Sequence, residues 1–286
     1  MVKSFSATEP TFPPLIQGNA CVGLRAPRFR VVTYNIHKSR GLDGRVLPGR
    51  IADVLREIDA DVVALQEVTG RGGSLHQDHA HFVADELRYY AAHGENRRHR
   101  GAAYGNLLLS RYPLRHVYNY DISVRGREPR GVLRADIVLD GGRRLHVFNV
   151  HLGTGFMERR KQARYLVNGQ ILRFSSIATP SIILGDFNEL TRGLVSRVLS
   201  AQFNSSSTRK RLGHIRTYPS VLPLFHLDHI YFNSVLTLRS LTLHRSRKAL
   251  LASDHLPLVA DFLFYPDRAE GDALAPTCEQ AVSTPA

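Results

Sequence analysis

Ser181-Ile182-Ile183-Leu184-Gly185-Asp186-Phe187-Asn188 runs from an apolar, β-branched stretch directly into an aspartate, a phenyl ring and an asparagine. An unbroken apolar run of strand length suits a strand buried on both faces, as layered α/β proteins require. Pro180 marks its start. The same shape recurs upstream. Phe29-Arg30-Val31-Val32-Thr33-Tyr34-Asn35 ends in an amide, Asp61-Val62-Val63-Ala64-Leu65-Gln66-Glu67 in a carboxylate, and Leu145–Val150 runs into His151. Gly105–Ser110 is a further short strand, and Val132–Leu139 forms a hairpin with Leu145–Val150 across Asp140-Gly141-Gly142. The last two strands, Leu227–Phe232 and Leu256–Phe264, adjoin Asp228-His229 and Ser253-Asp254-His255.

Helical spacing lies between the strands. Pro48 suits a helix start, and Ile51, Val54, Leu55 and Ile58 share one face beyond it. A second helix is expected over residues 158–174, where Tyr165, Leu166, Gln170, Ile171 and Phe174 recur at helical intervals. No internal repeat is visible. Residues 1–28 mix Pro, Ser, Thr and Gly without periodicity, and residues 266–286 turn acidic and then rich in Ala, Pro and Thr. Both are expected to be poorly ordered tails around one domain at 29–265.

A chain of 286 residues with 43% hydrophobic content can bury one large core. Cys21 and Cys278 lie near the two ends without metal-ligand spacing, which argues against a zinc site. The stretch through Pro27 lacks the apolar centre of a signal peptide, and no window is apolar enough to span a bilayer. A cytoplasmic monomer is the expectation. The net charge of +13 favours a polyanionic partner. Nucleic acid ranks first, and peripheral contact with an anionic membrane through Arg97-Arg98-His99-Arg100, Arg209-Lys210-Arg211 or Arg245-Ser246-Arg247-Lys248 ranks second. Such clusters are more often plain solvated surface.

An Asp or Asn after a strand is ordinarily a turn residue. Asn35, Glu67, His151, Asp186, Asn188 and the pair Asp254-His255 together are harder to explain that way, because strand ends are where α/β sheets build sites. A Ser-His-Asp triad from Ser253, Asp254 and His255 is set aside. Adjacent residues rarely meet its geometry, and no G-x-S-x-G elbow is present.

In these blocks the chain resembles the endonuclease/exonuclease/phosphatase superfamily of DNase I-like phosphohydrolases. The blocks are Thr33-Tyr34-Asn35-Ile36-His37, Leu65-Gln66-Glu67-Val68, Asn149-Val150-His151-Leu152-Gly153, Gly185-Asp186-Phe187-Asn188-Glu189, Leu227-Asp228-His229-Ile230 and Ser253-Asp254-His255-Leu256-Pro257. The resemblance implies an α/β four-layer sandwich: two packed, mainly antiparallel β-sheets flanked by helices. It implies Mg²⁺, with Mn²⁺ as a substitute, held by Glu67 with help from Asn35 and Asp254; hard oxygen ligands suit that ion. His255 matches the catalytic histidine and Asp228 its carboxylate partner. Asp186 would orient or deprotonate the attacking water, while Asn188 and His151 would donate to phosphate oxygens. The carboxylate supporting His151 would be Glu95 or Glu128. Around Arg127-Glu128-Pro129-Arg130-Gly131 the chain again resembles members whose arginine contacts substrate phosphate, making Arg127 and Arg130 candidates, with Arg159 a weaker one.

The implied reaction is direct attack of water on a phosphodiester. Nucleic acid is the first-ranked substrate, and a lipid phosphodiester or a phosphoinositide is the alternative, since fold does not fix substrate. Tyr218-Pro219-Ser220-Val221-Leu222-Pro223-Leu224-Phe225 would serve a lipid enzyme as an apolar loop beside the cleft, or pack locally as a Pro-rich turn. A basic binding module without catalysis would show a substitution among Glu67, Asp186, Asn188, Asp228 or His255, and none is substituted.

Overall fold

Successive side chains of a strand point to opposite faces, and here both faces find an apolar layer. In the computed structural model, which describes residues 2–5, 28–72, 78–168, 171–172, 179–190, 193–205 and 215–264, β2 (Arg28–Asn35) and β3 (Val62–Thr69) send Val31, Val62 and Ala64 into a central core. Their neighbours Val32, Val63 and Leu65 enter a second core on the opposite face. That second core is capped by α1 (Pro48–Ile58), α2 (His79–Leu87) and α5 (Arg247–Ala252). The same alternation in β9 (Ser181–Asp186) puts Ile182 and Leu184 in the central core and Ile183 in a third, covered by α3 (Phe156–Asn168) and α4 (Leu194–Gln202). The order is therefore helix, sheet, sheet, helix: the expected four-layer sandwich.

The remaining strands are β1 (Val2–Phe5), β4 (Tyr90–His99), β5 (Ala102–Ser110), β6 (Leu114–Asp121), β7 (Gly131–Val138), β8 (Arg144–His151), β10 (Asn204–Ser205), β11 (Asp228–Phe232), β12 (Leu236–Leu243) and β13 (Leu258–Phe264). One sheet has seven strands in the order β1-β6-β7-β8-β9-β11-β10, the other six in the order β12-β13-β2-β3-β5-β4. Pairing is antiparallel except for β2 with β3 and β8 with β9. Those two parallel pairs bring four carboxyl-terminal strand ends to the same edge of the sandwich.

Buried amides tie the sheets together near that edge. Asn149 on β8 donates to the carbonyls of Leu65 (2.8 Å) and Leu107 (2.9 Å) in the opposite sheet, and its Oδ1 accepts from Gln66 Nε2 at 2.8 Å. In the other direction, Asn106 on β5 donates to the carbonyls of Gly131 and Asn149.

The structure differs from the sequence expectations in several elements. Residues 2–5, placed in the amino-terminal tail, pair antiparallel with β6, whose outer edge would otherwise leave a row of backbone groups unpaired. The expected helix over 158–174 begins at Phe156 and is described to Asn168; its expected end, at Phe174, lies outside the described residues. Tyr90–His99, too polar to signal a strand, becomes the edge strand β4 because β5 supplies its ladder. The basic run 209–211 and both cysteines also lie outside the described residues.

Candidate active site

Register brings the polar strand ends together. Asp186, last residue of β9, is paired with His151 at the end of parallel β8 and with Asp228 at the start of antiparallel β11. Asn35, the last residue of β2, is paired with Gln66 of β3. The loop from α5 to β13, which pairs with β2, supplies Asp254 and His255. Residues separated by up to 220 positions thus line one cleft.

Asp186 is buried at its centre. Its Oδ1 accepts the Asn188 backbone N–H at 2.9 Å and its Oδ2 the Asn35 amide at 3.0 Å. The same Oδ2 lies 3.7 Å from His151 Nε2 and 3.8 Å from His255 Nε2. Burial raises its pKa above the usual carboxylate range, helped by the negative charge of Asp228 and opposed by His255, His151 and the Asn35 amide.

The two imidazoles are held in opposite states. Burial works against charge on His255, but Asp228, at 2.9 Å from Nδ1, together with Asp186 and Asp254 pushes it up to about 10, so it is an imidazolium at neutral pH. The ring of Tyr218 lies 4.9 Å from it, centroid to centroid. For His151, burial and the adjacent Arg130 guanidinium lower the pKa to about 4. Arg130 donates to Nδ1 at 3.2 Å, which puts the proton of the neutral ring on Nε2, facing Asp186. Two N–H donors, one charged and one neutral, therefore converge on a single carboxylate.

Among the described residues no carboxylate meets His151 Nδ1 directly. Glu128 acts one residue removed, pairing with Arg130 at 2.9 Å and with Arg97 at 2.8 Å, while Glu95 pairs with Arg98. Arg130 is consequently a buried support of His151. Arg159 donates to the carbonyls of Gly153 and Thr154. Arg127 is exposed, its guanidinium beside Gly155, and among the described residues no carboxylate pairs with it. Asn188 donates through Nδ2 to the Leu152 carbonyl at 2.9 Å, joining the loops after β8 and β9.

Glu67 sits where the pairing of β3 with β5 shifts register, at φ 60°. A left-handed non-glycine residue at a bulge is a strained position that re-aims a side chain. Burial opposes charge on Glu67, yet His151, Lys38 and the Tyr104 hydroxyl hold its carboxyl well below the usual range. Lys38 Nζ lies 2.7 Å from Oε2 and the Asn35 amide 3.4 Å from Oε1. Asp254 lies 3.7 Å from His37 Nδ1. Lys38 and Tyr104 escape sequence reasoning, although Lys38 follows the Asn35-Ile36-His37 block directly; the sequence places the Tyr218 segment beside the cleft, and the fold sets its ring against His255.

Two groups here suit a metal. Asp186, Asp228 and His255 offer ligand atoms within 4.8 Å of one another, with His255 Nδ1 engaged by Asp228 at 2.9 Å. Glu67 and Asp254 offer hard carboxylate oxygens, and Lys38 Nζ already stands 2.7 Å from Glu67 Oε2 as a cation. Asn35 turns its NH₂ to the carboxylates while its Oδ1 accepts the His37 N–H at 3.0 Å, so in this pose it positions the carboxylates.

Comparison with known proteins agrees with this architecture. The uncharacterized protein YbhP of Escherichia coli K12 is 35% identical over 245 residues, spanning 82% of this chain and 95% of that protein. The endonuclease/exonuclease/phosphatase of Beutenbergia cavernae superimposes with a TM-score of 0.65 at 21% identity, covering 84% of this chain and 72% of that one. The mannosyl-6-phosphatase of Bacteroides thetaiotaomicron superimposes with a TM-score of 0.63 at 18% identity, covering 82% and 100%. At such identities these two solved structures speak to fold alone. The profile of the Endonuclease/Exonuclease/phosphatase family matches residues 32–255, from β2 to His255, and the chain belongs to that family, whose members are hydrolases of phosphate esters.

Proposed function

We propose that this protein is a Mg²⁺-dependent phosphodiesterase that hydrolyses its substrate by direct attack of water. The observation that carries the reading is Asp186 Oδ2 lying between the Nε2 atoms of His151 and His255, at 3.7 and 3.8 Å. A carboxylate with a raised pKa is a better proton acceptor than an ordinary one, which suits Asp186 to take a proton from water. The His255 imidazolium and the neutral His151 Nε2–H lie on either side as donors to the phosphoryl oxygens that gain charge in the transition state. Asp228 keeps His255 charged, and Arg130 with Glu128 keeps His151 in the right tautomer. Glu67 and Asp254 would hold the Mg²⁺, which when bound supplies Lewis acidity at the phosphate. Arg127 is the arginine best placed to meet substrate phosphate from the surface.

Nucleic acid is the first-ranked substrate and a lipid headgroup diester the second, and the net charge of +13 suits either. The test is Mg²⁺-dependent hydrolysis of plasmid DNA, abasic duplex, RNA, sphingomyelin, a phosphoinositide and mannose 6-phosphate by wild type and His255→Ala. Hydrolysis of a diester by wild type, reduced by orders of magnitude in the variant, is the expected result. Near wild-type turnover by His255→Ala would sink the assignment, and turnover of the monoester alone would replace the phosphodiesterase with a phosphatase.

A further inference from the structure

The loops that build the cleft carry an unusual amount of exposed aliphatic surface. Val221 and Leu222, in the segment just before β11, are each 65% exposed, Leu251 at the end of α5 is 52% exposed, and Leu42 in the loop after β2 is 45% exposed. These are not scattered residues. The Leu42 N–H donates to the Leu251 carbonyl at 3.1 Å, and Ser220 joins the same unit through its hydroxyl to the Leu250 carbonyl (3.3 Å) and its N–H to the Asp254 carbonyl (2.7 Å). Two loops and the end of α5, each carrying exposed aliphatic side chains, are thus hydrogen-bonded to one another and to the wall that holds Asp254 and His255, as a rim. Across the mouth, Phe156 follows the β8 end and Leu190 the β9 end, exposed by 64% and 62%, on loops joined by the Asn188 to Leu152 bond.

Exposed aliphatic side chains on segments tied together in this way mark an interaction site, and the adjacent charge selects the partner. Arg40 and Arg216 flank the rim segments in the chain, both are exposed, and among the described residues neither has a carboxylate partner. Arg127 is in the same condition beside the Phe156 loop. A nucleic acid would be met chiefly by stacking rings, whereas Val221, Leu222, Leu224, Leu251 and Leu42 make this rim predominantly aliphatic, with Phe225 less exposed at 39%. A second copy of this chain would set one basic rim against another, with a net charge of +13 on each molecule. Aliphatic tips beside guanidinium groups fit an interface that is apolar beneath and anionic on top.

We propose that the mouth of the cleft docks on an anionic phospholipid bilayer, with Val221, Leu222, Leu251 and Leu42 entering the acyl boundary while Arg40, Arg216 and Arg127 meet headgroup phosphates. Docking would present a headgroup diester to Asp186 and His255; that consequence rests on the reaction proposed above, whereas the docking does not.

The experiment is co-sedimentation of the full chain with vesicles of phosphatidylcholine alone or phosphatidylcholine with phosphatidylserine, read beside hydrolysis of the soluble diester bis(p-nitrophenyl) phosphate. Wild type is expected to pellet with the phosphatidylserine vesicles, and Val221→Ser/Leu222→Ser to lose about tenfold or more in partitioning, since ~1.4 kcal/mol of lost apolar burial corresponds to that factor. Both substituted side chains are exposed, so the variant's turnover of the soluble diester and its melting temperature are expected to be unchanged. His255→Gln is expected to lose turnover and still pellet, which separates docking from chemistry. The proposal is overturned if wild type stays in the supernatant, or if the double variant pellets as wild type does. It is equally overturned if the substitutions abolish binding to duplex DNA or convert a dimer to a monomer while vesicle binding persists. Absence of diester turnover by wild type would instead count against the phosphodiesterase reading alone.

Discussion

Asp228 and Arg130 do the same job with opposite sign: each sets the charge of a histidine on the far side of its ring from the reacting centre. Catalysis by this arrangement needs Asp186 ionised and His255 protonated. The rising limb of a pH–rate profile should therefore begin above the usual carboxylate range, because Asp186 is raised, and activity should fall as pH passes about 10, where His255 loses its proton. Asp228→Asn removes the group holding that proton. The alkaline limb of kcat/KM is expected to move down towards neutrality, with a loss of roughly 10²–10⁴-fold at neutral pH; an unmoved alkaline limb would show that His255 is not the titrating group. At His151 the sign reverses. Arg130→Met removes the nearby cation and the donor to Nδ1, so the His151 pKa, now about 4, is expected to rise, though burial keeps it below the ordinary histidine value. Titration of the ring by NMR reads this directly. The pairing of His255 with Asp228 was legible in the sequence because both belong to quoted family blocks. The Arg130 support of His151 was not, since an arginine in a basic chain carries no mark that separates a buried brace from a solvated guanidinium.

Among the elements, β8, β9 and β3 carry the geometry of the cleft, and each depends on backbone detail that apolar patterning does not reveal. Gly185 has φ 148°, and a Cβ there would lie 1.8 Å from the Val150 carbonyl oxygen on β8. Gly185→Ala must push β8 and β9 apart directly before Asp186 and His151. A destabilisation of about 3 kcal/mol is expected in urea unfolding, with activity lost in whatever folds; wild-type stability would mean that the close approach of the strands is relaxed at no cost. Asn149 offers a second check. Replacement by Ala takes the Asn149 donor from the Leu65 and Leu107 carbonyls inside the sandwich, while Gln66 Nε2 keeps Thr33 Oγ1 and the Ala64 carbonyl, and a loss of about 3 kcal/mol is expected. The apolar strands were readable because both faces of each are buried, which leaves near-continuous hydrophobic runs. β4, β6, β12 and the short strands β1 and β10 were not, because polar residues interrupt their apolar runs and their conformation comes from the neighbours they pair with.

For the whole molecule, the relevant quantities are charge and the assembly of two sheets into one cleft. With a net charge of +13, association with any polyanion is expected to weaken steeply between about 50 and 200 mM salt; binding that ignores salt would show that charge does not steer the encounter. The same charge is compatible with nucleic acid and with an anionic bilayer, so composition ranks polyanions together and the shape of the cleft mouth has to separate them. What the sequence alone determined was the layered α/β class, the buried strands, the order of the blocks and the residue types gathered at their ends, because burial on both faces and the spacing of conserved-type motifs leave their mark on local composition. Only the tertiary structure decided which imidazole is charged, that Arg130 braces His151, that Lys38 stands at Glu67, and that separate segments carrying aliphatic tips are tied into one rim. Each of these depends on distances of a few ångströms between residues far apart in the chain, and those distances are set by strand register and sheet packing, which no local stretch of sequence encodes.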